Sequence, residues 1–366
     1  MRKGSELLMT DNLYSKRDAT MTKGMAILCM LVLHLFCRTG KDVLGTPLLW
    51  LNKTTPLVFW FGFFAEICVP IYSLCTGYAQ QLMIEQGRLS WKSNIRRISK
   101  LLVNYWIVLA LFCGLGFFLD IDPSIPGSLT DFIKSIVLVH SYNGSWWYLN
   151  TFVLLLLIPP KVLLYPINRI KPQYGLILCL VFQVVWYFVT RLNLITSVLP
   201  DMYVAAFWGK EMGNLLGIMP YIWGGAFLCK CRLLEKCNDW MQRHVSDKLH
   251  NPVLLLFWGT VFICTNLVHK AVLFGGVSIL SFLIFNLLKK AESIKKVFLF
   301  LGKHSTNIWL THMFFYAYLF KDLVTIVKYP LFMLAFMLLL CLMTSYVVMG
   351  IENVIYKLCN NRVANN

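Results

Sequence analysis

The chain has 366 residues, 58% of them hydrophobic and 14% charged, with a mean hydropathy of +0.65. A soluble globule is about 45–50% apolar and about 25% charged, so the composition excludes one and predicts an all-α, polytopic integral membrane helical bundle. The net charge of +17 does not point to nucleic acid, because the cations are parcelled between apolar runs and form no basic domain.

The first apolar run is Lys23–Arg38, KGMAILCMLVLHLFCR. No A-x-A-like cleavage site follows it, so it is expected to be retained as a helix. Eleven helical residues make about three turns, which puts Lys23 and His34 on one face about 16 Å apart. With Lys23 at the membrane surface, His34 falls near the middle of a hydrocarbon core about 30 Å thick. An ionisable group at that depth is costly unless it faces a polar cavity or a partner. His34 is then either a functional group or an imidazole bonded to a neighbouring helix for packing. The second run, 56–78, holds Glu66 at a similar depth. A carboxylate there can orient the imidazole and raise its basicity.

The third run, 101–119, is preceded by Arg96-Arg97-Ile-Ser-Lys100. Arg97 and Lys100 are one turn apart on a shared face. Two such cations can clasp a phosphate, or can simply anchor the helix end at the cytoplasmic surface. The loop Asp120–Trp147 ends in HSYNGSWWYL. Its aromatic cluster, with Trp146 and Trp147, reads either as an interfacial anchor or as a platform for a sugar ring, with Asn143 and Ser145 supplying hydrogen bonds. Further runs lie at 148–165, 174–190, 208–229, 253–269, 271–288, 307–327 and 330–356, which makes ten. The ninth opens on LGKHSTNIWLTH, with His304 at the inner surface and His312 about two turns deeper. His312 is either a second cavity group or a packing histidine. Glu352, near the end of the tenth run, can neutralise one of the basic residues at the cytoplasmic face.

Lysine and arginine alternate with these runs: 25 fall in one set of loops and 9 in the other. The positive-inside rule then places both termini in the cytoplasm and the protein, multi-pass, in the cell membrane. The expected organisation is a cytoplasmic segment 1–23, a transmembrane domain 24–356 and a cytoplasmic tail 357–366. Most of the twelve cysteines sit inside apolar runs and behave there as small apolar residues. Cys229, Cys231 and Cys237 lack a second Cys or His pair at zinc-ligand spacing, so no metal is expected.

Several of these stretches resemble the membrane-bound acyltransferase family 3, the O-acyltransferases of bacterial surface glycans. Lys23-x10-His34 is similar to its Arg/Lys-x10-His signature, and Val69–Tyr78 (VPIYSLCTGY) to its FFxxSGY helix. Arg97-Ile-Ser-Lys100 resembles its Arg-x-x-Arg motif, Trp146–Leu149 its Trp-Phe-Leu segment, and LGKHSTNIWLTH its LGxxSYxIYLxH helix. The motifs occur in the family's order over most of the chain. Lys100 stands where the second arginine is usual, and Thr76 where the serine of SGY is usual. With no hydrolase-like domain after the last run, a stand-alone member is expected.

The resemblance implies transfer of an acyl group, usually acetyl, from acyl-CoA to a hydroxyl of a cell-surface or lipid-linked polysaccharide. Lys23, Arg97 and Lys100 would gather the phosphates of acetyl-CoA, the donor substrate. His34 would act as general base, since a histidine supplies one poised near neutral pH. Glu66 would orient it, and Asn143, Ser145, Trp146, Trp147 and His312 would meet the acceptor. The deep His34, Glu66 and His312 also suit a proton-coupled transporter or lipid-linked sugar exporter. Transporters are usually built from repeated halves with paired broken helices, and no internal repeat is legible here.

Overall fold

A computed structural model describes residues 14–88, 90–191, 203–270 and 273–364, and every regular element among them is helical. In chain order the α-helices are α1 (Lys16–Phe36), α2 (Val58–Phe64), α3 (Cys68–Glu85), α4 (Trp91–Leu119), α5 (Leu129–Ile136), α6 (Trp147–Leu157), α7 (Pro160–Leu163), α8 (Tyr165–Arg169), α9 (Pro172–Arg191), α10 (Tyr203–Lys230), α11 (Leu233–His244), α12 (His250–Val268), α13 (Phe274–Leu287), α14 (Glu292–Thr311) and α15 (Pro330–Ala364). The first thirteen residues of the expected segment 1–23, and the last two of the tail, lie outside the described residues.

Among the described residues six stretches are long and apolar enough to cross a membrane: Lys16–Phe36, Val58–Glu85, Trp91–Leu119, Gly209–Lys230, Asp247–Val268 and Pro330–Leu358. Three shorter apolar helices accompany them, at Gly144–Leu157, Tyr174–Val189 and Phe274–Leu287. The ninth run differs from its sequence reading. The helix is α14, which ends at Thr311, and the chain then passes through 3-10 turns at His312–Phe315 and Val324–Val327. Hydropathy misplaces this helix because its middle is polar, yet those polar groups are paired inside the bundle. His304 Nδ1 lies 2.8 Å from Ser345 Oγ, Asn307 Nδ2 donates to the same Oγ at 3.1 Å, and Asn104 Nδ2 donates to Asn307 Oδ1 at 3.0 Å. Buried polar groups satisfied in this way are tolerated.

The N-terminus of α1 is fixed by a capping box, in which the Ser15 side chain accepts from the Asp18 N–H and Asp18 bonds back to the Ser15 N–H. The helix therefore starts seven residues before Lys23 and stops two after His34. His34 occupies its last turn rather than its middle. One side of α1 (Ile27, Leu31, Leu35) joins a core with Phe112 of α4, Ile308 of α14 and Met337 of α15. The other side (Met21, Met25, Ala26) joins a second core with Ile71 and Leu74 of α3 and Phe282 of α13.

The closest helix approaches are made where glycine removes the side chain. A Cβ on Gly24 would lie 2.1 Å from the Phe298 carbonyl oxygen, and one on Gly302 would lie 1.9 Å from that of Thr20. Helices α3 and α10 meet in the same way, through Gly77 against Ile222 and Gly225 against Leu74. In lipid, association depends on such close packing more than on the hydrophobic effect. The two contacts hold α1 against α14 and α3 against α10, and so fix the walls of the cavity described next.

Candidate active site

A cavity of about 300 Å³ lies between α1, α3, α6 and α14. Helix α1 contributes Lys23, Met30, Leu33 and His34; α3 contributes Cys68, Val69, Tyr72 and Thr76; α14 contributes Gly302, Ser305, Thr306 and Trp309. Ser145, Trp147, Tyr148 and Phe152 close it from the α6 side, with Leu101 from α4. Lys23 and His34 thus line one space, as their eleven-residue spacing predicts. Along the helix they are about 16 Å apart, by 1.5 Å per residue. An ammonium and an imidazole therefore mark separated points of the same cavity. The walls carry the hydroxyls of Tyr72, Thr76, Ser305 and Thr306. Tyr72 donates to the Lys23 carbonyl at 3.2 Å, which ties α3 to α1, and Ser305 donates to the Gly302 carbonyl at 2.9 Å.

His34 makes no side-chain hydrogen bond among the described residues; only its carbonyl is engaged, accepting from Arg38 Nε at 3.1 Å. Its ring neighbours are His312, with centroids 4.9 Å apart, and Tyr316, at 6.3 Å. The Arg38 guanidinium lies over the Tyr316 ring at 5.5 Å. The carboxylate expected beside His34 is elsewhere. Glu66 sits in the 3-10 turn Ala65–Ile67 between α2 and α3, and it does not line the cavity. The turn interrupts the helical register that a continuous second span would have given it. His312, fully buried, also stays outside the cavity lining and meets it through the lining residues His34 and Trp309.

The cations at the other end divide. Lys100 Nζ is 3.7 Å from the Glu352 carboxylate, an ion-pair distance. Arg97 packs its guanidinium against Met83, with Nη2 2.9 Å from the sulfur. Neither Arg97 nor Lys23 has a carboxylate partner among the described residues. Neither Arg97 nor Lys100 lines the cavity itself.

The aromatic loop splits in the same manner. Asn143 Oδ1 accepts from the Ser145 N–H at 2.9 Å and Oγ at 2.7 Å, while its Nδ2 donates to the Leu310 carbonyl at 3.3 Å. Trp146 donates to that same carbonyl at 3.0 Å and is buried. These two residues fasten the loop to α14, whereas Ser145 and Trp147 face the cavity. Sequence reasoning singled out neither Tyr72 nor the Ser305–Thr306 pair. A signal existed: 302, 305, 306 and 309 recur at i, i+3, i+4 and i+7, which is one helix face.

Searches of curated proteins and of solved structures returned no match. A family model described as an acyltransferase domain matches residues 19–350. That range takes in all of the cavity wall, from Lys23 on α1 to Trp309 on α14. An apolar helical bundle around a cavity that carries an ammonium, an imidazole and several hydroxyls suits a membrane enzyme, and the match covers nearly the whole chain. The chain belongs to acyltransferase family 3 and is a multi-pass membrane acyltransferase.

Proposed function

We propose that this protein transfers an acyl group, acetyl in the simplest case, from acyl-CoA to a hydroxyl of a glycan or lipid-linked glycan. The observation that carries the reading is the single cavity shared by an unpaired cation, Lys23, and an unbonded imidazole, His34. In the proposed step His34 takes the proton of the acceptor hydroxyl. The oxygen attacks the thioester carbonyl, the C–S bond breaks, and His34 returns the proton to the departing thiolate. The products are an ester and free CoA. Lys23 and Arg97 attract the donor phosphates, with Lys100 shared between them and Glu352. Ser145 and Trp147 meet the acceptor, and Asn143 and Trp146 hold that loop in place. Glu66 has no part in the step. Acyl transfer from acetyl-CoA by the purified protein, followed as release of the CoA thiol on adding acceptor, tests the reading. Thiol release independent of any glycan acceptor would overturn the acceptor class.

If Arg97 binds donor phosphate, Arg97→Ala should weaken acetyl-CoA binding by about 10–100-fold, since a charge-assisted hydrogen bond contributes about 1.5–3 kcal/mol. Lys100→Ala should cost less. Its ammonium is a point charge already facing Glu352, whereas a guanidinium can grip phosphate through two parallel N–H groups. Titration of acetyl-CoA against matched amounts of purified variants measures both. Unchanged affinity in Arg97→Ala would leave this motif a topological anchor.

The charge alternation supports ten spans with both termini cytoplasmic and the loop Asp120–Trp147 outside. In a cysteine-depleted background, Lys134→Cys should react with an impermeant thiol reagent in intact cells. Lys295→Cys should react only once the membrane is opened. The reverse pattern would invert the orientation and move the donor site to the wrong compartment.

A further inference from the structure

His312 stands where α14 gives way to the 3-10 turn His312–Phe315, and none of its surface is exposed. Its Nδ1 lies 2.8 Å from the Trp309 carbonyl oxygen. A carbonyl only accepts, so Nδ1 carries the hydrogen and Nε2 of the neutral ring is an acceptor. That Nε2 is buried and has no hydrogen-bond partner among the described residues. The ring beside it is His34, at a centroid distance of 4.9 Å and a tilt of 43°. Two imidazoles joined edge to edge by a bond of about 3 Å have centroids about 5 Å apart. The centroid spacing leaves Nε2 within reach of a His34 N–H group by rotation about χ2, a broad and soft torsion.

We infer that His312 is a positioning residue for His34. It accepts a hydrogen bond from one His34 nitrogen and so leaves the other, unprotonated, facing the cavity. This rests on the reading of His34 as the general base. The bond selects the tautomer of His34 that can take a proton from the cavity side, the task a third group performs for a catalytic base. It also strengthens as positive charge develops on His34, because the donor becomes charged. The Trp309 bond makes the arrangement rigid, since it fixes both the ring of His312 and which of its nitrogens accepts.

A purely structural His312 would do no more than cap the end of α14 through Nδ1. Three substitutions separate the roles. His312→Asn keeps a donor near Nδ1, His312→Gln keeps an acceptor near Nε2, and His312→Phe keeps only the ring. With the positioning role, His312→Phe and His312→Asn should lower kcat about 10–100-fold, the range for one charge-assisted hydrogen bond. The donor KM should stay within about threefold, and His312→Gln should recover most of the loss. In a His34→Ala background, His312→Phe should cause no further loss, because the two residues act as a unit. Recovery by Asn and not Gln, or additive losses in both backgrounds, would make His312 a helix cap and overturn the proposal.

A second readout does not depend on the acyl-transfer reading. Diethyl pyrocarbonate modifies an unprotonated imidazole nitrogen, and its addition to His34 can be followed by peptide mass spectrometry on the detergent-solubilised protein. The rate at His34 should fall in His312→Asn and return in His312→Gln. Equal rates in wild type and His312→Asn would sink the pairing. Rates that follow the prediction, in a protein whose His34→Ala variant still transfers acyl groups, would uphold the pairing and remove His34 from the chemistry.

Discussion

His34→Ala is expected to lower acyl transfer by about 10²–10⁴-fold, the usual contribution of a positioned general base. The side chain borders a cavity and is not locked into the core, and the one bond inferred for its ring, to His312 Nε2, serves the base rather than the fold. Its removal enlarges a space already present, so insertion and thermal stability should stay close to wild type. Donor affinity should also persist, because Lys23 lies about 16 Å away along the helix. The loss should therefore appear in kcat, with the acetyl-CoA KM nearly unchanged. Steady-state rates on purified, monodisperse protein measure both. A variant that transfers within about threefold of wild type would remove His34 from the catalytic step.

The fold class is legible in the sequence because lipid is a severe solvent: a span must be apolar for about 20 residues, and among the described residues six helical stretches satisfy that on length and composition alone. The reading fails where the bundle itself becomes the solvent. The middle of α14 looks too polar to cross, yet His304 and Asn307 are paired with Ser345 of α15 and with the Asn104 amide of α4. Hydropathy is counted one chain segment at a time and cannot register such pairs. The site follows the same division. Lys23 and His34 share a helix, so their common face follows from 3.6 residues per turn. The neighbour of His34 comes from the turn after α14, 278 residues further on, whereas depth in the chain offered Glu66 as its orienting partner and His312 only as a cavity or packing group. Glu66 falls in the 3-10 turn at Ala65–Ile67, off the cavity wall. That turn has no proline or glycine within it to announce its presence.

Gly24→Val is expected to remove both folded protein and activity, although Gly24 has no chemical role. A Cβ at this position would lie 2.1 Å from the carbonyl oxygen of Phe298 and 3.0 Å from the backbone nitrogen of Gly302. Overpacking a core costs about 1–3 kcal/mol where side chains can move aside. Here the obstacle is backbone, so α1 and α14 must separate along the contact that sets the cavity wall. Against a total stability of about 5–15 kcal/mol, that displacement should lower the unfolding temperature and the yield sharply. The molecules that still fold should lose transfer as well, because Lys23 and His34 on α1 shift against Ser305 and Trp309 on α14. A misplacement of about 1 Å is enough to cost on the order of 10²-fold in rate. Gly350→Ala is the matched control. A Cβ there meets nothing within 4 Å, and alanine relieves the helix-interior penalty of glycine, roughly 0.5–1 kcal/mol. That variant should be as stable as wild type or slightly more so, with unchanged activity. Thermal unfolding of the two purified variants, followed by fluorescence, makes the comparison. A Gly24→Val protein that melts and turns over like wild type would mean that α1 and α14 are not in backbone contact, and the cavity between them would have to be redrawn.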